Sequence, residues 1–515
     1  MSTETPRSRH NLRRTAARVA SSSPGSLTKF FGVRKRLSEA STPFIKRKRS
    51  VVSDGAAVPS PISTNVTPIR IIHENNAENS PRPRFVNKKS KTEFGVFDDL
   101  PVVVVRDILH NLPYAQLGSL SCTSVQWKKV VQNYFQSKAF DSRLMNDIYR
   151  FMKISNPSKY TSEDPFYSLG VALRRLGATE SKFSQKLRPL ENFLKRILAE
   201  TNSYDGCGRA IHAFAENHDE LSPEDFESMV KMGFSLNNDL ENDLKNIVFK
   251  KDEEHRNLDH RITAKSMKIL EEEFKVRQMI RDLFLNNRFS DPDIDTNRHF
   301  LTCLIASYKS SGTDAQSRFL YLLYAPTREI RGIEVINWHA FADLVIHTED
   351  EATSNLRPLA SALKALVVSK KTGNKFSWSK NSVFNLMEEV TTYPAPWSMN
   401  TFVSFLLMQP CLIPISIVAR MLRSHEEEAG DMISTMKLLL FRWNIKCEQL
   451  LTPVFDSIRV SLSEEKRKVL YDNIWNWHRR NSEELRGRLD SFADHRAELQ
   501  SQIDIMPLLE KLVSP

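Results

Sequence analysis

The sequence predicts a mainly α-helical protein in three parts, and three observations support this. Residues 1–92 form a basic stretch rich in Ser, Thr and Pro, with few apolar clusters to offset the entropy of ordering. Beyond it, apolar residues recur at helical spacings of three and four. The chain has only 15 glycines among 515 residues, which argues against a turn-rich all-β fold. We therefore expect a disordered tail over 1–92, a three-helix module over 93–137 and an irregular multi-helix domain over 138–515.

Positive charge is concentrated in the tail. Residues 1–92 contain 19 Lys and Arg against 5 Asp and Glu, a difference of +14, whereas the net charge of the whole chain is +11. The remaining residues therefore carry a net charge of −3. This balance argues against a folded basic platform for nucleic acid. The positive charge of the tail is the only observation that supports direct binding to DNA.

Two basic clusters in the tail resemble a nuclear import signal in one or two parts. A solvated charge run, or affinity for phosphate without sequence preference, would fit the same residues. The import interpretation places the protein in the nucleus, alone or shared with the cytoplasm. The clusters consist of Arg34, Lys35, Arg36, Lys46, Arg47, Lys48 and Arg49.

Six Ser-Pro or Thr-Pro dipeptides are spread through the tail, and they resemble sites of proline-directed kinases. Each added phosphate would bring negative charge close to the basic clusters. The density of these dipeptides in one segment predicts regulation by phosphorylation. The acceptor residues are Thr5, Ser23, Thr42, Ser60, Thr67 and Ser80.

One apolar island interrupts the tail. Leu27, Phe30 and Phe31 would share one face of a single helical turn. This arrangement resembles a peptide that docks on PCNA-type sliding clamps, although Pro24 stands where that motif normally begins with glutamine. A helical turn of this kind would also suit the groove of another partner.

The stretch from residue 97 to residue 135 is expected to form the three-helix module. Two pairs, Leu100-Pro101 and Leu112-Pro113, stand one short helix apart. Proline is tolerated at the first helical position because its missing N–H would have no partner there. Each pair is therefore expected to open a helix. The four valines at 102–105 favour a strand instead, but helical spacing follows them.

Apolar residues cover two faces of the predicted first helix. Val104, Ile108 and Leu112 form one stripe, and Val105 with Leu109 extends it round a second face. A segment of under about 45 residues cannot bury so much apolar surface on itself. It needs a partner, either elsewhere in this chain or in another protein.

The same residues carry a resemblance to the F-box, a three-helix module that docks on the Skp-type adaptor of a cullin-RING ubiquitin ligase. Two positions depart from the F-box pattern, since Val103 and Gln116 stand where acidic residues are common. The alternative is a helical hairpin that is buried within its own chain and has no partner. The resemblance implies that the adaptor is bound by Leu100, Pro101, Val104, Ile108, Leu109, Leu112, Pro113, Leu117, Leu120 and Trp127.

Residues 138–515 are expected to be mostly helical. We find no leucine-rich, WD or kelch signature, the repeats that many F-box proteins use to hold substrates. An irregular helical domain, with stacked helix pairs as in a short α-solenoid, fits this pattern best. Helix starts are indicated at Ser222 before Pro223, and by capping-box spacings at Thr313 with Gln316 and Ser461 with Glu464.

Four short patches narrow the resemblance to the F-box only protein 47 family, including its nematode member named for progression through meiosis. The resemblance spans about residues 95–420. It implies a nuclear role in meiotic prophase, in chromosome pairing and in cell-cycle timing. The patches are Tyr167-Ser168-Leu169-Gly170, Gly206-Cys207, residues 320–326 and Pro396-Trp397.

Motifs for catalysis, metal binding or cofactor binding are lacking. The sequence has no phosphate-cradling loop, zinc-protease helix or nucleophile elbow. Asp291, Asp293 and Asp295 have the first spacings of a calcium loop, but Thr296 and Thr302 replace its glycine and its final glutamate. The five cysteines have no metal-ligand spacing, and no apolar run reaches the length of a membrane span. We expect no cofactor, no membrane contact and no catalytic site.

These observations favour the substrate-recognition subunit of an SCF-type cullin-RING ubiquitin ligase. On this interpretation the protein acts in meiotic prophase progression and homologous chromosome pairing. It would bind a Skp-type adaptor, a nuclear substrate and, through Leu27, Phe30 and Phe31, a sliding clamp. The alternative is a non-enzymatic chromatin or telomere-associated scaffold that binds DNA through its basic tail.

Overall fold

The structure is a computed structural model. The residues predicted for nuclear import, clamp binding and phosphorylation lie outside the residues that it describes, as does the whole predicted tail of 1–92. The described residues are Phe97, 100–178, 180–216, 221–249, 263–285, 295–342, 344–368, 378–393, 395–486 and 492–513.

Three short helices begin the described chain. They are α1 (Val102–Asn111), α2 (Tyr114–Ser121) and α3 (Val125–Phe135). The hydroxyl of Ser124 accepts a hydrogen bond from the backbone N–H of Trp127 at 3.1 Å and so caps α3. The predicted three-helix module is therefore present, and its helices begin at the expected places.

Helices also dominate the rest of the described chain, which confirms the mainly α prediction. They are α4 (Lys138–Met152), α5 (Pro165–Leu176), α6 (Phe183–Thr201), α7 (Tyr204–Ala215), α8 (Pro223–Ser235), α9 (Asn238–Phe249), α10 (Ala264–Phe284), α11 (Asp295–Ser307), α12 (Thr313–Tyr324), α13 (Glu349–Val368), α14 (Lys380–Val390), α15 (Met399–Leu407), α16 (Ile413–Leu422), α17 (Glu426–Arg442), α18 (Cys447–Ser461), α19 (Glu464–Arg486) and α20 (Phe492–Val513).

One β-hairpin interrupts the helices, and the sequence analysis did not predict it. Strand β1 (Thr327–Ile330) pairs antiparallel with β2 (Ile333–Ile336). The two turn residues, Arg331 and Gly332, have φ angles of 53° and 79°. Positive φ at both central residues gives a tight turn whose twist matches that of the two strands.

The predicted helix caps are partly correct. Ser222 and Asp225 form the expected reciprocal cap, since the Ser222 backbone N–H donates to the Asp225 carboxylate at 2.9 Å. The capping box at Thr313 is wrong, because Gly312 is the cap residue of α12. The one at Ser461 is also wrong, because Ser461 ends α18 and α19 begins three residues later.

Four helices pack against one another at backbone distance in the order α2, α5, α7, α10. Glycines make this possible. A Cβ on Gly118 of α2 would lie 2.8 Å from the Ala172 Cα of α5, and one on Gly170 would lie within 3 Å of the Ala210 carbonyl of α7. A Cβ on Gly208 of α7 would overlap the Asp282 carbonyl of α10. We call this series of contacts the glycine-contact row.

The interior also holds paired charges. Arg209 of α7 donates to Asp164 at 2.7 Å, and both side chains are buried. Near the C-terminus, Lys437 of α17 contacts Glu498 of α20, which also lies 3.0 Å from His478 Nδ1. Burial lowers the pKa of Lys437 to about 8, despite the favourable charge of Glu498. Since a lone buried charge is costly, these ions depend on their partners.

Among the described residues, no single helix combines the length and apolar composition that a membrane span requires. One pair of helices bent by 110°, Met399–Leu407 with Pro410–Leu422, meets these criteria only when the two are taken together.

Replacing Gly208 by alanine should destabilise the protein, because the new methyl group would overlap a backbone carbonyl that cannot move independently of α10. Overpacking of this kind costs about 1–3 kcal/mol, although alanine alone would favour a helix by about 0.5–1 kcal/mol. Gly177→Ala is the comparison variant with a looser fit, because its Cβ would lie 3.2 Å from the Lys186 Cβ and 3.4 Å from the Leu173 carbonyl oxygen. Chemical denaturation followed by circular dichroism measures both. Equal stability of the two variants would contradict the close packing.

Candidate functional site

The two Leu-Pro pairs start helices as predicted, with the prolines one position earlier than expected. Pro101 and Pro113 are the cap residues that precede α1 and α2, and each has an extended ψ near 145°. Residues 102–105 are helical although all four are β-branched. Pro101 opens the helix and the buried Leu109 holds its later part in place, and together they outweigh the modest strand preference of the exposed valines.

One face of α1 points into the three-helix module. Leu109 is 2% exposed, and it shares the interior with Leu117 of α2 (0%) and Trp127 of α3 (6%). The ring of Phe97 packs edge-on against Trp127, with 5.3 Å between ring centroids. The sequence analysis named Leu109, Leu117 and Trp127 as adaptor-binding residues, and the structure places all three in the interior of the chain on its own. Their contact with an adaptor stays a prediction. Their side chains pack in the interior of the module and help to hold its three helices together.

The first turn of α1 is open to solvent. Val102, Val103 and Val104 are 76%, 66% and 40% exposed, and Pro101 beside them is exposed as well. We call Pro101, Val102, Val103 and Val104 the α1 apolar face. Of the remaining residues predicted to bind an adaptor, Pro113 is exposed, and four are half-buried: Leu100, Ile108, Leu112 and Leu120. The module therefore keeps Leu109 inside and leaves the apolar first turn of α1 within reach of a partner.

Arg143 of α4 fixes the position of α1, which the sequence analysis missed. Its guanidinium donates to the carbonyl oxygens of Leu109 at 3.1 Å and Leu112 at 2.7 Å. These carbonyls lie at the end of α1, where a helix lacks its own donors. The same guanidinium lies 4.7 Å from the centre of the Tyr114 ring. Cation–π stacking of this kind is favourable.

Tyr114 adds a second link between α2 and α4. Its hydroxyl donates a hydrogen bond of 2.6 Å to the Asp147 carboxylate. Burial, reinforced by this hydrogen bond, raises the pKa of Tyr114, so the hydroxyl keeps its proton throughout the physiological range. The link is therefore insensitive to pH near neutrality.

A third set of contacts joins the module to α5. Besides the contact of Gly118 with Ala172, Arg175 donates to the Ala115 carbonyl at 2.8 Å and to the Ser119 hydroxyl at 2.6 Å. Because backbone atoms take part on both sides, the module has little freedom to pivot on the helices that follow. The α1 apolar face is thus presented in a fixed direction relative to α5.

This geometry describes an interaction module, and comparison with known families agrees. An F-box domain model matches residues 97–134, so the chain is an F-box protein. A second model, described as "FBXO47, ARM repeats", matches residues 251–515, just over half of the chain. The chain belongs to the FBXO47 family. Searches of curated proteins and of solved structures found no match.

The family match confirms two sequence-based predictions. The F-box was predicted from its Leu-Pro pairs and apolar stripes, and the family from short patches in the body. The ARM-repeat description also confirms the prediction of stacked helices in the C-terminal part, although no strict repeat was visible in the sequence.

An F-box supports a substrate-recognition role in SCF ubiquitin ligases, with binding to a Skp-type adaptor and through it to a cullin-RING complex. F-box proteins generally act as adaptors in these ligases and are not themselves enzymes. In the part of the chain that the structure describes, no group of three or more His, Cys, Asp or Glu side chains is placed to hold a metal ion.

Substitutions in the interior of the module and on its surface should have different effects on stability. Leu117→Ala removes a fully buried side chain and is expected to lower the free energy of unfolding by about 2–5 kcal/mol. Val103→Ala changes a side chain that is mostly in solvent and should stay within about 0.5 kcal/mol of the wild type. Hydrogen exchange of the α1 to α3 amides measures both effects locally. A larger loss of protection in Val103→Ala would contradict the assignment of inner and outer faces.

Proposed function

We propose that this chain is the substrate-recognition subunit of an SCF-type cullin-RING ubiquitin ligase, and that it acts in the nucleus in meiotic prophase progression and homologous chromosome pairing. The ligase assignment rests above all on the α1 apolar face, which lies within the matched F-box and remains exposed. Three adjacent valines that remain in contact with water are unfavourable in a folded module, and an exposed apolar patch of this kind marks a site of interaction.

An adaptor that covered this face would gain a substantial free energy. Complete burial of one valine side chain is worth about 1.5 kcal/mol or more, and the half-buried Ile108 and Leu112 would add to the contact. Pro101 fixes the backbone at the start of α1, so little conformational entropy has to be lost on binding. These features favour a preformed docking surface.

In the expected mechanism, the chain positions the substrate for ubiquitin transfer. The F-box holds the adaptor on one side, and the helices that follow α5 hold the substrate. The glycine-contact row keeps the two in a fixed relation. A lysine of the bound substrate is then presented to the ubiquitin-carrying enzyme at a high effective concentration. No side chain of this chain needs to take part in the chemistry.

The nuclear and meiotic parts of the proposal rest on other observations. The two basic clusters ending at Arg36 and Arg49 support import, and the Ser-Pro and Thr-Pro dipeptides suit control by cell-cycle kinases. Membership of the FBXO47 family, together with the resemblance to the nematode member named for progression through meiosis, supports the prophase role.

A second candidate function is a non-enzymatic chromatin or telomere-associated scaffold. The net charge of +14 over residues 1–92 favours it, because such a tail would attract DNA in a salt-dependent way. A scaffold would keep its activity when the α1 apolar face is disrupted, and the half-lives of nuclear proteins would not change. A ligase subunit would lose its effect on the half-life of its substrate.

The double substitution Val102→Glu with Val103→Glu should abolish co-purification of a Skp-type adaptor from cells, since two carboxylates would have to be desolvated at the interface. Both side chains are mostly exposed, so the fold should be retained. Val460→Glu on α18 is the control, because Val460 is 89% exposed and lies far along the chain. Quantitative mass spectrometry of the purified complexes gives the readout. Full recovery of the adaptor with the double variant would reject this docking surface.

Replacing Lys46, Arg47, Lys48 and Arg49 by alanine should shift the protein from the nucleus to the cytoplasm, because import receptors bind such clusters through their positive charge. Fluorescence microscopy of the tagged full chain measures the nuclear fraction. Lysine in place of Arg47 and Arg49 keeps the charge and serves as the control. An unchanged nuclear fraction in the alanine variant would contradict the import role.

A further inference from the structure

A groove of about 660 Å³ lies directly beside the F-box. Helix α3 forms one wall, α6 forms the other, and the end of α5 closes the base. Its floor is apolar and includes Phe135, Leu176 and Phe193, which are themselves buried. Nothing in the F-box or ARM-repeat assignments accounts for this groove, which lies N-terminal to the matched repeats.

Both walls carry side chains that donate hydrogen bonds. Gln132 lies in α3, and Gln136 stands one turn later, directly after the last residue of the helix. On α6 a longer row follows spacings of three and four residues, so its members share one face of the helix. That row consists of Gln185, Arg188, Asn192 and Arg196. It extends over about 16 Å at 1.5 Å per residue, which is the length of about five residues of extended peptide.

The rim is positively charged, although the folded part of the chain is not. Lys186, Arg188 and Arg196 line the groove, together with a single acidic residue, Glu180. Lys128 neutralises Glu180 through an ion pair of 2.7 Å. Arg196 contacts Asp141 and keeps further N–H donors. Arg188 is exposed and forms no ion pair with any residue that the structure describes.

A proline adds a backbone acceptor to the same wall. Pro189 lies inside α6 and has no N–H to donate. The carbonyl of Gln185, four residues earlier, therefore lacks its usual helical donor. Gln185 and Pro189 both line the groove. The wall can thus accept a hydrogen bond from a peptide N–H as well as donate to peptide carbonyls.

We propose that this groove binds an extended acidic peptide of the ubiquitylation substrate, about five residues long, with carboxylates on the cationic rim and one apolar side chain on the floor. Charge excludes the tail of the chain in its unmodified form as the occupant, because residues 1–92 carry +14. The statement that this peptide belongs to a ubiquitylation substrate rests on the proposed ligase function. The binding of an acidic peptide by the groove does not depend on that function.

The test uses the full chain purified with its adaptor and a fluorescein-labelled heptapeptide that has a central leucine flanked by three Asp or Glu residues on each side. Fluorescence anisotropy in low salt measures binding. Arg188→Glu should weaken binding at least tenfold by charge reversal at an exposed position. Lys195→Glu is the control, since it makes a charge reversal on α6 outside the groove and should stay within twofold of wild type, although it also breaks the ion pair of Lys195 with Glu191 at 2.7 Å.

Each outcome separates the two proposals. Tight binding that Arg188→Glu abolishes supports the groove, even if the purified chain retains no adaptor. If the adaptor is retained but the peptide fails to bind, the groove proposal is overturned while the ligase assignment stands. Equal losses in Arg188→Glu and Lys195→Glu would also overturn it, because they would show general attraction to charge. Binding only of a peptide with phosphoserines in place of the carboxylates would overturn the assignment to carboxylates.

Discussion

Backbone-to-backbone packing of helices is the constraint on which the rest of the molecule depends. The glycine-contact row runs from α2 of the F-box through α5 and α7 to α10. At each step two helices approach until a side chain on the glycine would overlap the neighbouring backbone. Contacts of this kind leave no room for a hinge. The F-box and the helices of this row therefore behave as one body, and the exposed valines of α1 keep a constant position relative to α5.

Much of this fold was accessible from the sequence because local rules determine it. Proline fixes φ and favours the start of a helix, so Leu100-Pro101 and Leu112-Pro113 predicted the boundaries of α1 to within one residue. The four valines were ambiguous by propensity alone. The helical spacing that follows them gave the correct assignment, since periodicity reports on packing and propensity does not.

The division of the apolar residues between core and surface could not be predicted in the same way. Periodicity shows that Leu109 and Val104 lie on different faces of α1, but the face that turns inward depends on α3 and α4. Arg143 illustrates the difficulty, since its bonds to two carbonyls of the F-box span more than 30 residues of sequence. The groove is likewise a product of three helices. The β-hairpin was a different kind of miss, because β1 has a single apolar residue, Ile330, and Arg331-Gly332 is not among the dipeptides that mark a two-residue hairpin turn.

The ion pair of Lys437 and Glu498 has a consequence for how sequences of this family can diverge. Both side chains are buried, and each is tolerated only because the other is present. Replacing only one of the two by a neutral residue would leave the other charge buried without its partner, which would lower the free energy of unfolding by about 3–5 kcal/mol. Exchange of both for apolar residues of similar volume would remove the charges but leave His478 and Asn481 without their hydrogen-bond partner, Glu498. Substitutions at 437 and 498 should therefore arise as coordinated pairs during evolution, with His478 following because it shares the same carboxylate.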